Sequence, residues 1–287
     1  MIMKNIIAFF INEYQNSNTN LKIGILLLIL IILAGIFAPF LTPYDPYYQD
    51  YNSILLPPSL DHFFGTDNYG RDGFTRVLYG RRLDLQIGFY TTYVPMIYGL
   101  MIGAYAGYFG GALDTAIMRL TDTAMAFPFL VLIIFILAIL GPGIQNIYIA
   151  VFLVAWTMYA RLARAEMLVE KNKDYITAAQ FLGFGTNRII LKHAMPNIIT
   201  SSIIFSMFDF VLNILLVSGL SFLGLGVQPP TPEWGAMVAE GRDFILDAWW
   251  ISTLPGLVIV LTGFTLCLIG DGLSERFGKR NQYTVSV

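Results

Sequence analysis

Few side chains in this sequence are of a type, or at a spacing, suited to covalent chemistry. His62 and His193 are the only histidines and sit in distant segments, so neither a metal cluster nor a paired-histidine acid–base can form. Cys267 is the one cysteine, set in an apolar run, and no internal disulfide is possible. A G-x-x-x-x-G-K-[ST] phosphate loop, a G-x-S-x-G elbow and an H-E-x-x-H helix are all missing from the sequence. Two features carry other chemistry. Asp209, with Asn213 one helical turn on, lies well inside a long apolar run. An ionised group there is costly unless it faces water or a partner, so it marks either a path through the membrane suited to an amino group or other cation, or a hydrogen bond to a neighbouring helix. The second feature is the mixed polar and apolar stretch Lys171 to Pro196, KNKDYITAAQFLGFGTNRIILKHAMP. Tyr175, Ala178, Ala179 and Leu182 recur at i, i+3, i+4 and i+7 and line one face of a short helix, which Gly183 and Gly185 end. A second helical stretch is expected from Asn187 to Ala194, stopped by Pro196. The nearly bare surface at Ala178 and Ala179 lets another backbone approach closely, as in a docking knob; an amphipathic helix on a lipid surface is the alternative.

The elements that must position these residues are membrane helices. Of 287 residues, 56% are hydrophobic and 13% charged, whereas soluble domains carry roughly 25% charged residues. The formal net charge of -2 gives no basic field, which excludes nucleic acid as an expected partner. Crossing about 30 Å of hydrocarbon takes about 20 apolar helical residues. Six runs qualify, approximately Ile23 to Leu41, Leu85 to Phe109, Thr123 to Leu140, Ile147 to Leu162, Ile198 to Leu225 and Trp249 to Ile269. The fourth is short, and Arg161 and Arg164 at its end can reach back to the interface. The first run exceeds a signal-peptide core and reads as a retained anchor.

Basic residues orient the spans. With the N-terminus inside, Lys4, Lys22, Arg119, Arg161, Arg164, Lys171, Lys173, Arg188, Lys192, Arg276, Lys279 and Arg280 are cytoplasmic, twelve of the seventeen. Both termini are then cytoplasmic, at residues 1–22 and 273–287. The long outer segments, 42–84 and 226–248, are rich in Pro, Tyr and Trp and read as ordered caps at the lipid interface. Gly99, Gly103, Gly107 and Gly111 recur every fourth residue and leave a strip on which a helix, of this chain or of another subunit, can pack closely. Arg71, Asp72, Arg76, Arg81 and Arg82 mix with acids and read as locally paired, on an element that could contact an external protein. Arg119, between Asp114 and Asp122, reads as a structural ion pair, and Asp271 with Glu275 as solvation of a helix end.

Lys171 to Pro196 resembles the EAA loop of ABC-importer permeases: Thr177, Ala178, Ala179, Gly183, His193, Met195 and Pro196 keep its spacing, with Thr for Glu, His for Ile and Met for Leu. FGTDNYGRD, with Gly65, Thr66, Asp67, Gly70, Arg71 and Asp72, is similar to the FGTD-x-x-GRD signature of C-type permeases in the dipeptide, oligopeptide and nickel importer family. LSFLGLGVQPPTPEWGAM and GDGL match the same family in the same order. The resemblance implies an all-α, six-span permease of the type I (MetI-like) fold, with a permease core over residues 85–272. It further implies a homologous second permease, two ATP-binding subunits holding ATP and magnesium, and an external substrate-binding protein. Asp174, Tyr175, Thr177, Ala178, Ala179, Leu182 and Gly183, with His193 and Pro196, would form the ATPase-coupling segment. An ion pair normally made by the replaced glutamate would be missing or would fall to Asp174 or Glu170. Peptides are the implied substrate and nickel or a metal chelate the runner-up. The competing classes are an ion-gradient-driven transporter, expected to show internal symmetry and more charges within its spans, and a membrane hydrolase, expected to show clustered catalytic groups.

Overall fold

The computed structural model describes residues 18–285, and Lys4 with the rest of 1–17 lies outside the described residues. The described chain is helical. Helix α1 spans Thr19–Ile36, its first turn closed by Asn18, whose side chain accepts the Leu21 N–H. It is followed by a single turn at Ala38–Leu41 and an irregular segment. Helix α2 spans Gly73–Phe109, capped by Asp72, whose Oδ2 accepts the Thr75 N–H at 2.7 Å. Helices α3, Gly111–Met125, and α4, Phe129–Leu140, are bent by 85° at their junction. Then come α5, Ile144–Glu170; α6, Asp174–Phe181; α7, Thr186–Phe222; α8, Trp234–Gly241; and α9, Trp250–Val285. Five of these helices are long and apolar enough to cross a membrane, and the α3–α4 pair makes a sixth crossing if taken as one broken span.

The differences from the sequence expectation have physical causes. Helix α2 begins twelve residues before Leu85, because Arg76, Arg81 and Asp84 are buried with distant partners. Arg76 Nη2 reaches Glu240 at 3.1 Å, Arg81 Nη1 donates to the Ile32 carbonyl at 2.8 Å, and Asp84 accepts the Trp234 N–H at 3.2 Å. The run Thr123 to Leu140 is broken at Ala126–Pro128, where a proline without an N–H sets the new N-cap. Helix α5 continues past Leu162 to Glu170 because Arg161 and Arg164 pair with Asp122 and Asp114 of α3. Arg119 therefore is not the partner of those acids. Pro196 does not stop α7: a π-helical stretch, Ile189–Ala194, precedes it. The wider turn removes the need for the amide that proline lacks.

Three of the four glycines in the strip seat on α5. A Cβ would lie 2.6 Å from the Trp156 carbonyl oxygen at Gly99, 2.1 Å from that of Ala160 at Gly103 and 2.9 Å from that of Arg164 at Gly107. Gly111 meets nothing within 4 Å and has φ +60, so it serves the turn between α2 and α3 rather than packing.

Candidate functional site: an exposed knob, a buried carboxylate and a closed cap

The segment after α5 is held by its own carboxylate. Glu170 is 5% exposed. Its Oε1 accepts the Tyr175 hydroxyl and Asn197 Nδ2 (2.7 Å), and its Oε2 meets Lys173 Nζ at 2.6 Å. Burial, then the bond to Glu170, pushes the Tyr175 phenol up to about 12, so it remains a donor. These bonds join α5, α6 and α7, and leave Glu170 unavailable to an external partner; Asp174 is exposed. Tyr175→Phe is expected to lower the subunit's stability by about 1 kcal/mol, read as a lower melting temperature of the purified transporter.

Helix α6 ends in a Schellman motif: Phe184 N–H bonds the Ala179 carbonyl at 3.1 Å and Gly183 N–H that of Gln180 at 2.9 Å, with Gly183 at φ +76. Ile176 and Ala179 are buried, against Leu100 and Ala104 of α2, Ala163 and Met167 of α5 and Ile190 of α7. Ala179 is thus an anchor, not part of an outward knob. The outward surface is Ala178 with Leu182, 73% exposed, and Phe181, 87% exposed, a residue that the i, i+4 pattern did not single out. Thr177 is exposed as well. His193 and Pro196 belong to α7, and the His193 ring stacks on Phe184 at 5.5 Å, which carries Arg188 on it at 4.0 Å. Lys171 Nζ closes the neighbouring end of α2 by donating to the Gly107 and Tyr108 carbonyls, 2.7 and 3.4 Å away.

Deeper in the bundle Asp209 of α7 meets Tyr159 of α5, whose hydroxyl donates to Oδ2 at 2.7 Å. Asn213 Nδ2 donates to the same oxygen at 3.1 Å and to Thr92 Oγ1 of α2 at 3.0 Å. Tyr159 and Asn213 are buried, and Asp209 is partly exposed. Three helices are thereby tied together while the second carboxylate oxygen carries no bond among the described residues.

At the opposite end, the 64–72 motif is a closed network. Asp67 Oδ2 pairs with Arg71 Nε at 2.6 Å, and Arg71 and Arg76 converge on Glu240 of α8 at 2.8 and 3.1 Å. The Trp250 indole N–H donates to the Thr66 carbonyl at 3.1 Å. Gly65 and Gly70 have φ +66 and +72, and a Cβ at Gly70 would strike the Asp50 carbonyl oxygen at 1.8 Å. Arg71 and Arg76 are 2% and 1% exposed, so they build the cap and offer no surface to an external protein.

The family described as binding-protein-dependent transport system inner membrane component matches residues 99–283, which contain α6, the glycine strip and Asp209. The chain belongs to this family. Residues 6–58 of this ABC importer permease also match the N-terminal transmembrane domain of oligopeptide transport permease C. The permease is 42% identical to the di/tripeptide transport system permease protein DppC of Pseudomonas aeruginosa, over 88% of this chain and 85% of that one. It is 37% identical to the dipeptide transport system permease protein DppC of Haemophilus influenzae, over 91% of each. It is also 41% identical to the glutathione transport system permease protein GsiD of Escherichia coli, over 87% and 83%. Its fold is similar to that of the MetNI methionine ABC transporter in inward-facing conformations, with TM-score 0.57 and 16% identity over 68% of this chain and 93% of that chain. The permease is accordingly a multi-pass membrane protein of the MetI-like fold.

Proposed function

We propose that this permease imports short peptides, as one of two homologous permease subunits driven by two ATP-binding subunits and fed by an external substrate-binding protein. The observation that carries the reading is the surface of α6: exposed Ala178, Phe181 and Leu182 on a helix whose other face is locked to α2, α5 and α7. Such a knob suits a groove in an ATPase, and its rigid seating passes a displacement to three helices at once. ATP with magnesium belongs to those partners, since the sequence lacks a phosphate loop of its own, and this subunit is not an enzyme. The peptide substrate is supported by the relatives' names, and the inside placement of both termini by the bias of basic residues. Reconstituting the four-subunit complex in liposomes with ATP, and adding binding protein loaded with labelled dipeptide, tripeptide or nickel, tests it. ATP-dependent peptide uptake is expected; uptake by this chain alone, or of nickel only, would refute it.

Asp209 then lies on the path, its unbonded oxygen suited to a peptide amino group. Asp209→Asn is expected to slow uptake of a free-amine dipeptide about tenfold, the value of one charge-assisted bond, and to leave an N-acetylated dipeptide unaffected. Equal rates for the wild type and the variant on the free-amine substrate would remove Asp209 from the path.

A further inference from the structure

A cavity of about 180 Å³ opens beyond the end of α1, bounded on one side by Leu41 and Thr42, the last residue and the C-cap of the single turn that follows the helix. Its walls are aromatic, from Tyr44, Phe63 and Phe74, and its polar lining includes the carboxylates of Asp61 and Asp72. Asp72 is fully engaged: Oδ2 takes the Thr75 N–H and hydroxyl, and Oδ1 meets His62 Nδ1 at 2.9 Å. Asp61 is exposed and makes no bond or ion pair among the described residues. No lysine or arginine lines the cavity. The surrounding surface is strongly apolar: Phe40 is 86%, Leu60 89% and Phe63 56% exposed.

These observations define both the depth and the chemistry. Large exposed apolar and aromatic groups at the end of an apolar span belong at the boundary between acyl chains and headgroups. An aromatic wall with an unbonded carboxylate attracts a cation, through the ring faces and through charge-assisted hydrogen bonds. The lining holds two carboxylates and no lysine or arginine, and the imidazole beside it, His62, is taken up by Asp72, which together disfavour an anion.

We propose that this cavity is a lipid site that takes the ammonium group of a phosphatidylethanolamine, whose acyl chains lie along the exposed face of α1. Asp61 accepts from the ammonium, and the rings of Tyr44 and Phe63 flank it. A primary ammonium can donate to Asp61, whereas the quaternary group of phosphatidylcholine cannot. The site does not depend on which leaflet faces the cytoplasm, nor on the transported substrate.

The test is native mass spectrometry of the intact transporter, delipidated in detergent and titrated with phosphatidylethanolamine, phosphatidylcholine or phosphatidylglycerol of identical chains. Preferential retention of phosphatidylethanolamine is expected, weakened about tenfold in Asp61→Asn and in a Phe63→Ala variant that keeps its assembly. Asp61 is exposed and unbonded, so its substitution leaves the fold in place. Equal retention of the three lipids, or retention unchanged in Asp61→Asn, would overturn the proposal. So would displacement of the lipid by free ethanolamine at equal concentration, which would mark a soluble-amine site. Weakened docking of the substrate-binding protein in Asp61→Asn with lipid retention intact would assign the surface to a protein contact instead, and refute the lipid.

Discussion

Gly103→Leu is expected to yield no assembled transporter. A Cβ at this position would already stand 2.1 Å from the Ala160 carbonyl oxygen and 2.8 Å from the Ala160 Cα, both backbone atoms in the middle of α5. Backbone cannot rotate aside as a side chain can, so α2 and α5 must separate along their whole contact. That separation would also strip Gly99 from Trp156 and Gly107 from Arg164. Overpacking a tight core costs about 1–3 kcal/mol where side chains can give way, and here they cannot, so the expected loss exceeds that range. Membrane helices associate through such close packing and not through water exclusion, which leaves little to compensate. The measurement is the amount of subunit recovered in the membrane fraction and its melting temperature in detergent. Gly219→Ala supplies the contrast, because nothing lies within 4 Å of a Cβ there; it is expected to be neutral or slightly stabilising. Normal yield and stability of Gly103→Leu would show that the α2–α5 contact is not the framework of the bundle.

Phe181→Asp is expected to have an equally large effect on transport with no effect on folding. The side chain is 87% exposed, so the isolated subunit loses no contact of its own. If Phe181 fills a hydrophobic pocket in an ATPase, the variant buries an unpaired charge there, and truncating such an anchor typically costs about 2 kcal/mol or more. Co-purification of the ATP-binding subunits and ATP-driven uptake should both fall by more than about tenfold, while the melting temperature of the permease alone stays unchanged. Full co-purification would move the docking surface away from the tip of α6. Ala179→Asp would not make the same point, because Ala179 is 4% exposed and that substitution would disrupt the packing beneath α6.

The glycine strip and the termination of α6 were legible because both follow from local rules: a four-residue repeat marks one helix face, and Gly183 supplies the left-handed residue that a Schellman turn requires. Which alanine of the pair faces inward was not, since two adjacent small residues carry no periodic signal; Ile176, not Tyr175, proved to share the buried side with Ala179. Phe181 escaped for a related reason. An apolar residue out of phase with its neighbours looks like noise until the burial of the others is known. The early start of α2 depended on Glu240 and Trp234, far along the chain, so that Arg76 read as locally paired and Asp84 as the end of an outer segment. Pro196 misled because the usual rule assumes an α-helical turn ahead of it, and the turn ahead is π.

That turn has an angular consequence. Successive residues of an α-helix are about 100° apart around the axis, so a single additional residue accommodated in a widened turn shifts the azimuth of all that follows by roughly that amount. Asp209 points at Tyr159 on the azimuth that Ile189–Ala194 establishes. Were those six residues wound as ordinary α-helix, the carboxylate would swing about a quarter turn from the phenol, and the orientation of the membrane-embedded acid is thus governed from the end of the helix nearest the knob.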